Sequence, residues 1–118
     1  MRDAIKRRIL AAREQQVTAG GRTFTIRRVA DLPIARLRER HRGDGSGFIV
    51  NLVRESVVGW DMDEAGLYAG GGDSKVEFDT DLFMAWVEDE PETFNELTVA
   101  VLEQLARHRE QREAAEKN

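Results

Sequence analysis

The sequence predicts a mainly α (α+β) chain: one small domain of about five helices, with one short β-hairpin near residues 16–28. Three observations predict it. The 118 residues suit a single domain of ordinary size, and no linker divides them. Apolar residues recur at helical spacing in most segments, with capping residues at their starts. One glycine pair, Gly20-Gly21, is followed by strict alternation of apolar and polar residues.

In chain order, Asp3–Gln16 reads as a helix with Ile5, Ile9 and Ala12 on one face and Arg and Glu elsewhere. That stripe is thin, so residues 1–16 are expected to pack on a partner or another subunit. VTAGGRTFTIRR then reads as a hairpin, with Phe24 and Ile26 alternating with Thr23, Thr25 and Arg27. A two-stranded ribbon is marginal alone, so Phe24 and Ile26 must pack on helices. Asp31 is expected to cap the next helix, with Pro33 in its first turn, Ile34 and Leu37 inward, and an end near Arg42. Gly43–Gly47 reads as a flexible loop, too short to separate two domains. Phe48–Val58 is the most apolar run and reads as the central helix, with a strand as the rival because of its β-branched residues.

Met62–Phe78 reads as an irregular connection through Gly70-Gly71-Gly72, with Lys75–Phe78 extended. Asp79 or Thr80 caps a helix to about Asp89 that buries Leu82, Phe83, Trp86 and Val87. Pro91 opens the last helix, which buries Phe94, Leu97, Val101, Leu102 and Leu105. Residues 107–118 keep helical propensity but lose every large apolar side chain, so they are expected to project or fray.

Composition narrows the classes. A hydrophobic fraction of 41% with 34% charge is that of a globular chain. There is no cysteine, which removes thiolate and disulfide chemistry and fits a reducing compartment. The N-terminal residues lack the apolar core of a secretory signal. No stretch approaches the roughly 20 apolar residues of a membrane span. Charge is strongly polarised: residues 1–58 carry 13 Lys and Arg against 6 Asp and Glu, whereas residues 59–118 carry 5 against 16. Such a split favours attraction between copies or towards oppositely charged partners. Nucleic acid suits the basic half, yet only Phe24 and Phe48 lie there as stacking rings.

Catalytic and metal patterns are missing, and no cofactor is expected. His41 and His108 have no cysteine beside them and sit among Arg and Glu. Asp61-Met62-Asp63 starts like a calcium loop, but Ala65 and Gly72 fall where ligands are needed. The glycines from Gly43 place Phe48 where a dinucleotide fingerprint needs its last glycine, and no GK[ST] or G-x-S-x-G occurs. Paired carboxylates (Asp61 with Asp63, Asp79 with Asp81, Glu88 to Glu90) read as solvated faces, because nothing in sequence places one in an apolar pocket. Trp86 reads as core. Trp60 either plugs the core or anchors a partner, with the core reading favoured. The chain is therefore expected not to be an enzyme.

GRTFTIRRVADLPIARL, VVGWDMDEAGL and GGGDSKVEFDTDLFMAWVEDEPETFNELTVAVLEQLARHR together resemble the tail assembly chaperones of long-tailed (siphovirus-type) bacteriophages and prophages. The family pattern falls on Arg27-Arg28, on Val57 to Asp61, and on Val76, Phe78, Asp79, Leu82, Phe83, Trp86 and Val87, covering roughly residues 22–109. The resemblance implies a non-virion protein of the host bacterial cytoplasm. It would bind the tape measure protein, keep it soluble while tube subunits polymerise, and contact the tail tube protein through a frameshifted extension.

Candidate apolar contacts are Ile5, Ile9 and Trp60. Candidate rim residues are Asp61, Asp63, Glu64, Glu88, Asp89, Glu90 and Glu92. Charge polarity also suits head-to-tail self-association into rings or spirals. Two other classes fit the residues: a small DNA-binding regulator or antitoxin using the basic half, and another head–tail morphogenesis protein.

Overall fold

The computed structural model describes residues 1–117. Helices α1 (Arg2–Ala12), α2 (Asp31–Arg40), α3 (Gly45–Ser56), α4 (Glu64–Leu67), α5 (Thr80–Val87) and α6 (Pro91–Lys117) surround a small sheet. Its strands are β1 (Glu14–Ala19), β2 (Arg22–Arg27) and β3 (Val57–Trp60). The fold is α+β and mainly helical, as the periodicities require.

The hairpin forms where the glycine pair stands. Gly20 and Gly21 have φ of 57° and 75°, so both central residues adopt the left-handed conformation that matches strand twist. Ala19 pairs with Arg22 and Val17 with Phe24. Phe24 and Ile26 are fully buried, while their neighbours in β2 face outward or to the rim. Phe24 meets Phe83 edge-on and Trp86 in a stack, both at 6.2 Å, which fixes α5 against the sheet. The core is completed by Leu37, Leu52, Val53, Val57, Met62, Leu97 and Val101.

Several boundaries differ from the sequence reading, each for a physical reason. The first helix ends at Ala12, not Gln16, because Glu14–Ala19 pair along β2. The hairpin is extended by a third antiparallel strand: Phe24 pairs with Trp60 and Thr25 with Gly59, followed by a bulge before Ile26 meets Val57. The run read as one helix to Val58 therefore changes to strand at Val57. Helix α3 begins earlier than expected, at Gly45, because the Asp44 carboxylate accepts the Gly47 N–H at 3.1 Å. Gly43–Gly47 is thus mostly a helix start and not a flexible loop.

Asp31 does not cap α2. Ala30 takes that position, and the Asp31 carboxylate faces α6 instead. The connection read as irregular contains the single turn α4 and a bridge between Asp63 and Lys75. Leu82 and Leu102, expected inside, are 39% and 41% exposed. Residues 107–117 do not fray. They continue α6, and His108 and Arg112 fasten it to Asp31.

Candidate functional site

The candidate residues are of two kinds, apolar and acidic, and the fold separates them into three places. Ile5 and Ile9 lie on α1, half exposed, in a helix with no buried residue. The carbonyl of Arg13, the single residue between α1 and β1, accepts from the Arg28 N–H at 2.9 Å and from Gln104 Nε2 at 2.8 Å. That junction is fixed, and it carries α1 away from the core.

Trp60, Asp61, Asp63 and Glu64 form the second place. The Trp60 ring lies 5.2 Å from Phe78, 6.1 Å from Trp86 and 6.3 Å from Phe83. Its indole N–H donates to the Val76 carbonyl at 2.9 Å. Trp60 thus ties β3 to the returning chain, and its packing role accounts for it. The three acids have local duties. Asp61 pairs with Lys75 at 2.7 Å, and that hydrogen bond and charge hold the lysine above its ordinary range. Asp63 caps α4 by accepting from the Gly66 N–H at 2.9 Å. Glu64 accepts from the Tyr68 hydroxyl at 2.6 Å, which raises the phenol's pKa.

Glu88, Asp89, Glu90 and Glu92 form the third place, the turn from α5 into α6. All four are exposed, and among the described residues none pairs with a cation. Beside them lies a largely apolar hollow. A cavity of about 370 Å³ is lined by Val50, Met84, Val87, Glu88, Pro91, Phe94 and Asn95. A second, of about 680 Å³, adjoins it through Val50 and Phe94 and adds Gly45, Ser46 and Ile49. Together they make one open groove between α3, the end of α5 and the start of α6, with Val50 41% exposed on its wall.

Of the acids named from the sequence, Glu88 alone lines this groove, and Val50 and Met84 on its floor were not singled out. A signal was present. Phe48, Ile49 and Val50 are three consecutive apolar residues, and a helix cannot turn all three to one core. Phe48 and Ile49 are half-buried, which leaves Val50 outside.

Two further hollows are polar. One, of about 320 Å³, gathers Arg13, Arg28, Arg107 and His108 near the α1 junction. Burial lowers the Arg28 pKa, and the nearby Arg13 charge lowers it further. Arg107 is already engaged, donating to Gln15 at 2.7 Å. The other, of about 280 Å³, lies where Asp31 meets His108 and Arg112. Among the described residues no three carboxylates or imidazoles gather in a metal-holding group, and no helix is long and apolar enough to cross a membrane.

In comparisons with known proteins, no protein-family model, no curated protein and no solved structure matches this chain. The groove must therefore be read by its chemistry. An open apolar trough with a carboxylate rim suits one face of an amphipathic helix flanked by Lys or Arg.

Proposed function

We propose that the chain is a tail assembly chaperone of a long-tailed bacteriophage or prophage. It would bind the tape measure protein in the bacterial cytoplasm, hold it soluble while tail tube subunits polymerise around it, and be absent from the finished virion. The observation that carries this reading is the apolar groove of Ile49, Val50, Met84 and Phe94 beside the uncompensated acids Glu88–Glu92. A tape measure protein presents long helices with apolar stripes, and a protein that keeps them apart needs such a trough. The sequence resemblance supplies the identity of the client. The role is one of binding and not catalysis, and it needs no cofactor.

Co-expression with the tape measure protein of the same gene cluster tests it. The expected result is a soluble complex on size exclusion, with the tape measure protein insoluble alone. Val50→Glu, placed on the groove wall, should abolish that rescue while the variant itself stays folded. A tape measure protein equally insoluble with and without the chain overturns the proposal.

A second reading is favoured by one observation: Arg2, Lys6, Arg7 and Arg8 all lie exposed on α1, as a nucleic-acid-binding arm would require. A gel shift decides it. A DNA-binding regulator should bind with a steep salt slope, whereas the chaperone should show no retention in moderate salt. Presence in purified virions would instead indicate a head–tail morphogenesis part.

A further inference from the structure

The fold leaves two apolar surfaces unpartnered, and they are complementary. Helix α1 has a stripe of Ile5, Ile9 and Ala12, with Arg2 and Lys6 on one side of it and Arg8 on the other by helical spacing. None of its residues is buried. The groove between α3, α5 and α6 offers Val50, Met84 and Phe94 with Glu88 in its lining, and the exposed Asp89, Glu90 and Glu92 follow Glu88 in the chain. An apolar stripe flanked by cations is thus the complement of an apolar trough bordered by carboxylates.

We propose that α1 of one copy docks in the α3–α5–α6 groove of a second copy. In its own chain α1 stays out of the groove, since none of its residues is buried. The connection to β1 is the single residue Arg13, whose carbonyl is held by both Arg28 and Gln104. Gln104 lies ten residues along α6 from Phe94, about 15 Å at the helical rise. The groove thus lies away from the α1 root, and the held Arg13 carbonyl keeps α1 directed away from it.

The contact is heterologous, since the surface given and the surface received differ. Each added copy leaves one α1 and one groove free, so assembly continues with concentration unless the rotation closes a ring. An 11-residue helix in a trough lies at the small end of protein interfaces, so association is concentration-dependent and readily displaced. Any client helix that enters the groove must displace the neighbour's α1. This inference does not depend on who the client is, and it is measured with no client present.

The full-length chain is followed by sedimentation velocity over a concentration series at low and high salt. The weight-average mass should rise with concentration and fall with salt. Ile5→Glu/Ile9→Glu should weaken association at least about tenfold, because removing even one buried aliphatic contact has that effect. Val50→Glu should do the same. All three positions are about half exposed, so thermal unfolding should show both variants folded.

A mixture of the two variants is decisive. The intact α1 of the Val50→Glu chain fits the intact groove of the Ile5→Glu/Ile9→Glu chain, so the mixture should form a heterodimer and stop there. Because the chain has no cysteine, Ile9→Cys and Val50→Cys on separate molecules should form a disulfide-linked dimer on oxidation. A chain monomeric at every concentration, or undiminished association of Ile5→Glu/Ile9→Glu, overturns the proposal. So does an intramolecular bridge in the Ile9→Cys/Val50→Cys double variant at high dilution, which would make α1 of the same chain the occupant. Preferential Ile9→Cys self-linkage would instead indicate paired α1 helices and overturn it as well.

Discussion

Three residues show how single side chains set this fold. Gly20 sits in the hairpin turn with positive φ, and a methyl group there would run into Thr93 Oγ1 of α6. Gly21 also has positive φ, but nothing lies within 4 Å of its missing Cβ. Gly21→Ala should therefore cost about 1 kcal/mol of backbone strain, and Gly20→Ala at least about twice that, because the clash is added. Urea unfolding of the two variants checks the order, and Thr93→Ala should recover part of the Gly20→Ala loss only. The glycine pair was legible in the sequence, but its unequal duty was not, since Thr93 lies far along the chain.

Asp31 was legible as a helix-start acid, yet its partners come from α6. Partial burial raises its pKa, but His108 and the charges of Arg112, His108 and Arg28 outweigh that and hold the carboxyl below its ordinary range. With a folded pKa below the unfolded value, its contribution is fully present above about pH 4 and is lost as pH falls further. Hydrogen exchange should show the Arg107–Arg112 turn of α6 losing protection below about pH 4, while Asp31→Asn should make that loss independent of pH in the same range.

At the scale of elements, legibility followed local chemistry. Pro91 announced α6 and Asp79 announced α5, where its carboxylate accepts the Leu82 N–H at 2.9 Å. Asp44 should have announced α3 in the same way, but Gly45 and Gly47 masked it, since glycines in a row read as a loop. Asp44→Ala should cost about 1 kcal/mol, the usual value of a lost cap, read as a shift in the urea midpoint. Strand β3 was hidden for another reason. Val57 is buried on both the helical and the extended reading, so only pairing with β2 separates them, and that pairing spans more than 30 residues.

Helix α1 was legible as a thin stripe in search of a surface, and it buries nothing. Deleting residues 1–12 should consequently change folding stability by no more than about 0.5 kcal/mol, the range of exposed surface changes. The measurement is chemical unfolding of the shortened chain. A large loss would mean that α1 contributes to the core of its own molecule.

For the whole molecule, the polarised charge is the property that sequence showed and folding leaves in place. Among the described residues the ion pairs are mostly local. Arg27 pairs with Glu14, Arg42 with Glu39 and Lys75 with Asp61. Arg54 with Asp81, at 3.1 Å, is the one pair among them joining a cation of the first half to a carboxylate of the second. The basic α1 and the acidic α5–α6 turn thus remain available to outside charges. The molecule is flattened, 55 × 42 × 22 Å.

Exposed charges act over roughly 10 Å at moderate salt and far less at high salt. Binding of a basic-flanked helix to the groove should then have two separable parts: a salt-sensitive one from the rim and a salt-insensitive one from the floor. Glu88→Gln/Glu90→Gln/Glu92→Gln should flatten the salt dependence of association while sparing the binding that persists at high salt. Val50→Glu should remove binding at every salt concentration. An unchanged salt slope in the Gln variant would mean that the acidic turn does not border the bound helix, and the groove would then have to be filled from its Gly45–Ile49 end alone.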